Sequence, residues 1–134
     1  MEKYTRTKSI HPCRLNKADL IELVNLIKTD FPQQKRKEDF KITAHFYGFN
    51  VFENNLEEFL QHKNLPKIFS NISFRLIGWS VAGDIDKSLE LTFYDSFITL
   101  NVDGDSESWV RGKYTQMLDF LKTKSLRENL KYNR

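Results

Sequence analysis

The chain has 134 residues, 40% of them apolar, 29% charged and 13% aromatic, with a formal net charge of +3. That is enough apolar surface for one compact domain, and too few glycines and prolines for a linker-rich or fibrous chain. A lone cysteine, Cys13, excludes an internal disulfide and fits a reducing compartment.

The N-terminal stretch MEKYTRTKSIHPC has no apolar run of the signal-peptide kind, and no segment has the length and apolarity of a membrane span. A cytoplasmic protein is therefore expected. Charge is uneven along the chain: residues 1–17 carry +4, residues 18–110 carry −6, and residues 111–134 carry +5. Basic ends around an acidic middle could gather into a patch for an anionic partner, although terminal lysines are commonly just solvated.

Taken in order, YTRTKSI (4–10) alternates and is rich in threonine, as an edge strand that keeps its charges in water would be. A helix is expected over 16–31. Asn16 is the cap, Asp19 stands in the capping-box position, and Leu15 and Leu20 are placed for a hydrophobic staple. Leu20, Leu23, Val24, Ile27 and Phe31 share one side, and Pro32 ends the run.

A strand over 40–46 puts Phe40, Ile42, Ala44 and Phe46 on one face, and a second short strand covers 49–52. Asn55 caps a short helix whose Leu56, Phe59 and Leu60 point inward. Three strands follow, in ISFRLIGW, SLELTFY and FITLNV, separated by the turns SVAGDIDK and DS. A last helix starts near Glu107, capped by Asp105 or Ser106, with a broad apolar face that includes Trp109, Val110, Met117, Phe120 and Leu121. The tail KSLRENLKYNR continues that helix or forms a short fraying one.

The order is β-α-β-β-α-β-β-β-α. Short turns between consecutive strands make hairpins, so the expected fold is a single two-layer α+β domain over residues 1–134. Its mainly antiparallel sheet has five or six strands, with the helices on one face.

The motifs are mostly near-misses. AHFYGFNVF (44–52) partly fits the aromatic strand motif of RNA-recognition domains, K/R-G-F/Y-G/A-F-V-x-F/Y. However, Gly48 falls where the alternation breaks, as a hairpin turn would require. The leading Lys/Arg-Gly pair is replaced by His45-Phe46, and YTRTKSI offers no companion motif.

GWSVAGD (78–84) has two glycines at phosphate-loop spacing, but the lysine that must follow is Asp84. DGDSES (103–108) has the start of a calcium loop, with Ser108 and Tyr114 where Gly and Glu are needed. Weak cation binding would fall to Asp103, Asp105 and Glu107. His11 and Cys13 lack a second ligand pair, and His45 and His62 stand alone. Cys13 reads as structural or incidental rather than as a nucleophile. No metal or cofactor motif is legible, and no acid/base pair can be named.

One surface stands out. The polar side of the last three strands carries Arg75, Ile77 and Trp79, then Glu90, Thr92 and Tyr94, then Phe97, Thr99 and Asn101. Rings at Trp79, Tyr94 and Phe97, with Arg75, would make a docking patch if they cluster. The expected function is a small cytoplasmic, non-catalytic interaction module that docks a protein partner or itself through this mixed face or a sheet edge. The alternative is a weak, sequence-independent nucleic-acid association through Lys3, Arg6, Lys8, Arg111, Lys122, Lys124 and Arg127.

Overall fold

The computed structural model describes residues 3–29, 39–46, 48–79 and 83–125. Six strands form one antiparallel sheet: β1 (Tyr4–Ile10), β2 (Asp39–Phe46), β3 (Phe49–Glu53), β4 (Ile72–Trp79), β5 (Ile85–Phe93) and β6 (Ile98–Gly104). Among the described residues there are three helices: α1 (Lys17–Lys28), α2 (Leu56–Leu60) and α3 (Glu107–Thr123). The strand order among the described residues, β1-β6-β5-β4-β2-β3, leaves β1 and β3 as the edges, as YTRTKSI predicts for the first.

Register aligns one apolar row from every inner strand. Phe40, Ile42 and Ala44 of β2 stand opposite Leu76, Phe74 and Ile72 of β4. Leu76, Phe74 and Ile72 in turn face Leu89, Leu91 and Phe93 of β5, which face Val102, Leu100 and Ile98 of β6. Opposite partners share a face, so these residues form one continuous floor. Leu20, Leu23, Val24 and Ile27 of α1, Phe59 of α2, and Val110, Met117, Phe120 and Leu121 of α3 are buried in the same cluster.

The start of α1 is a complete capping box. Asp19 N–H donates to Asn16 Oδ1 at 2.9 Å, and Asn16 N–H donates to Asp19 Oδ2 at 3.0 Å. Asp19 also pairs with Lys124 just past α3 at 3.0 Å, and that hydrogen bond raises the lysine's pKa. The C-terminal end of α1 is closed from α3. Lys113, only 3% exposed, donates its Nζ protons to Leu26 O at 2.7 Å, to Thr29 O, and to Gln116 Oε1 at 2.8 Å. The first two are carbonyls that a helix end leaves without internal donors, and the ammonium complements the negative end of the helix dipole. α1 is thus tied to α3 and its flank at both ends.

Two expectations change. The helix bounded at Pro32 ends at Lys28, with Thr29 as its cap; Phe31 and Pro32 lie outside the described residues, as does the tail from 126. β5 begins at Ile85 rather than within SLELTFY, because Lys87 pairs with Gly78 and Ile85 with Trp79 across a bulge. The pairing of the glycine end of β4 draws IDK out of the expected turn.

Gly48 has φ +81° between Phe46 and Phe49, which pair directly across the hairpin. RNA-recognition domains need their aromatics within one strand, so the near-match at 44–52 is a turn.

At Gly104 the reason for glycine is space: a Cβ there would lie 3.0 Å from Val110 Cγ2 and 3.2 Å from Trp109 Cε3. Both belong to the first turn of α3, so β6 and α3 meet at a point that admits no side chain. Gly104→Ala should therefore destabilise by about 1–3 kcal/mol through overpacking. Gly112→Ala, on the exposed side of α3 with nothing within 4 Å, should stabilise by up to about 1 kcal/mol through helix propensity. Urea midpoints of the two variants measure both, and the opposite ranking would contradict the α3–β6 packing described.

Candidate functional site

The face away from the helices is polar and built in rows. Ser9, Thr99, Thr92, Ser73, Thr43 and Phe52 line up across all six strands. Beside them run Thr7, Asn101, Glu90, Arg75 and Lys41. Side-chain hydrogen bonds knit this face: Thr7 Oγ1 to Asn101 Oδ1 at 2.8 Å, Asn101 Nδ2 to Asp103 Oδ2 at 3.1 Å, and Ser73 Oγ with Thr92 Oγ1 at 3.1 Å. Arg75 is exposed here between Glu90 and Lys41.

The three rings proposed to cluster do not. Tyr94 and Phe97 close the β5–β6 hairpin, with Tyr94 N–H donating to Phe97 O at 2.9 Å and the rings stacked at 4.7 Å. Trp79 pairs with Ile85 at the opposite end of β5, nine residues from Tyr94, which is about 30 Å of strand. Alternation assigned all three to one patch, but alternation gives the face and not the position along the strand. The bulge at Gly78/Trp79 also interrupts the alternation just where Trp79 needs it. The Tyr94–Phe97 pair is an intra-hairpin stack, with both rings still substantially exposed.

The basic residues also divide. Arg6 and Lys8 pair with Val102 and Leu100, so they sit on the helix side of the β1 edge. Arg111 and Lys122 are exposed on α3 but share its outer side with Glu107 and Asp119. Lys124 is engaged with Asp19, Lys3 is exposed ahead of β1, and Arg127 lies outside the described residues. The carboxylates of DGDSES diverge as well. Asp103 accepts from Ser88 and Asn101 on the open face, Asp105 lies 3.9 Å from Lys87, and Glu107 opens α3. Ser106 is the cap, its Oγ accepting from Trp109 N–H at 3.3 Å. Among the described residues, no three His, Cys, Asp or Glu side chains converge as metal ligands would. No described helix is long and apolar enough to cross a membrane.

What sequence reading passed over is β3. Phe49 is 71% exposed and Phe52 67%, more than any other large apolar side chain described. They lie on opposite faces, since Phe49 pairs with Phe46 and Phe52 with Thr43. The outer backbone of β3 can be read from its neighbours. His45 N–H donates to Asn71 O on the β4 side at 3.0 Å, so His45 turns its polar backbone away from β3. Its partner Asn50 therefore directs N–H and C=O outward, and Phe52, two residues on, does the same. The missed signal was the absence of Lys, Arg or Pro in FNVFE.

Small cavities of about 310 and 240 Å³ lie beside Trp109 and Lys113 and beside His45, Phe46 and Ile68, and both are wide open.

No family model matches the chain, and no curated protein or solved structure matches it either.

The chemistry of Cys13 follows from its position. It is buried, its Sγ–H donates to Leu121 O at 3.3 Å, and burial, with Asp19 nearby, pushes the thiol up from 9.0 to about 12. A group whose folded pKa is raised contributes stability fully below its unfolded value and loses it as pH climbs. This contribution is therefore present below pH 9 and fades between pH 9 and 12. In the folded protein at pH 8 the thiol should resist an aromatic disulfide reagent, then react fully once urea unfolds the chain. Rapid labelling of the native protein would contradict this placement.

Proposed function

We propose that this chain is a non-catalytic interaction module that docks a protein partner along the outer edge of β3. The observation that carries the reading is the contrast between the two sheet edges. A sheet edge offers unpaired N–H and C=O groups to any passing strand, and monomeric proteins defend it with charges, prolines or bulges. β1 has that defence: Thr5, Arg6, Thr7, Lys8 and Ser9 are all exposed, with two cations among them. β3 has none.

Phe49 and Phe52 stand on either side of its outward backbone groups, and its only charge, Glu53, is turned to His62 Nε2 at 2.7 Å. This suits addition of an extended strand. Main-chain hydrogen bonds supply affinity, and the two rings supply contact on both faces. The single, buried Cys13 fits a cytoplasmic setting.

The test is photo-crosslinking with a reactive amino acid placed at position 52, at position 7 on the β1 edge, and at position 75 on the open face. Protein adducts in a cell extract should form at 52 and be weak or absent at 7 and 75. Equal labelling at all three positions, or adducts only at 75, would replace the edge with another surface.

A further inference from the structure

We infer that the strand accepted by β3 is the β3 of a second copy, paired antiparallel about a two-fold axis through Val51. This rests on the edge reading above and goes further by naming the occupant.

The outward backbone groups belong to Asn50 and Phe52, which are symmetric about Val51. A two-fold axis normal to the sheet sets Asn50 of each copy opposite Phe52 of the other, and each pair exchanges two N–H···O=C bonds. Phe49 then faces Glu53 of the second copy, and the two Val51 residues meet on the axis. Same-parity pairing keeps the faces matched: both helix layers fall on one side, and the sheets join into one of twice six strands. No cation lies on β3 to repel its copy.

Charge does not oppose the pairing: Glu53, the single charged residue of β3, falls opposite Phe49 of the second copy rather than opposite its own counterpart, and it is already turned to His62.

The size of the contact sets its strength. Two rings of about 200 Å² each, roughly seven-tenths exposed, give about 280 Å² of ring per copy. That is below what a permanent dimer uses, so the pairing is weak, reversible and concentration-dependent.

Sedimentation of the full chain from micromolar to near-millimolar concentration should show a monomer–dimer equilibrium. Phe52→Lys, which places a cation on a mostly exposed position, should remain monomeric with unchanged thermal stability. Val51→Cys fixes the register. Cα atoms of a non-hydrogen-bonded antiparallel pair lie about 4.5 Å apart, within disulfide reach, so oxidised glutathione should link two copies through position 51. The buried Cys13 does not compete.

A wild type that is monomeric throughout, a Phe52→Lys variant that still dimerises, or a Val51→Cys variant that fails to link each overturns the inference. A monomeric chain that still gives protein adducts at position 52 overturns self-pairing and leaves the edge reading standing. If position 52 also gives none, both fall.

Discussion

The three described helices lie on one side of the sheet, and this one-sided burial governs the rest of the molecule. Only alternate strand residues can reach a helix, so the apolar rows of β2, β4, β5 and β6 must register with one another to form a floor. A slip by one residue would bring Ser73, Thr92 and Thr99 into the core and expose Phe74, Leu91 and Leu100. The helix layer is in turn held as a unit. Lys113 gives its protons to the end of α1, while Asp19 ties the start of α1 to Lys124 beyond α3. A buried ammonium is costly unless its donors are satisfied, and here three oxygens accept from it. Gly104 then brings β6 and α3 as close as backbone and side chain allow.

The architecture was legible wherever period and capping chemistry coincided. Asn16 with Asp19, Asn55 with Glu58, and the 40–46 alternation each name an element through a local rule, and each stands where the rule puts it. The Gly48 turn was legible for the same reason, because a broken alternation at a glycine has few other meanings.

The site was less legible, and the reason is geometric. Alternation assigns a residue to a face, yet says nothing of its height on the strand or of which strands are neighbours. Tyr94 and Phe97 were expected within two adjacent strands, but β5 ends at Phe93 and β6 begins at Ile98, so both rings lie in the turn between them, where they stack. Trp79 was assigned to their company through a bulge that no composition rule reveals. The edge position of β3 follows from strand order, which sequence period does not encode. Only once β3 is known to be an edge does the missing lysine in FNVFE gain meaning. Lys113 was hidden for a similar cause: two of its three partners are backbone carbonyls 84 and 87 residues away.

The account of function therefore rests on an asymmetry between two strands of one sheet. The most direct measurement is residue-resolved hydrogen exchange on dilute and on concentrated protein. The account predicts that the amides of Asn50 and Phe52 exchange freely when dilute and gain protection as concentration rises, while the amides of β1 keep the same rates. Exchange at Asn50 and Phe52 that is independent of concentration, or protection that arises along β1 instead, would contradict it.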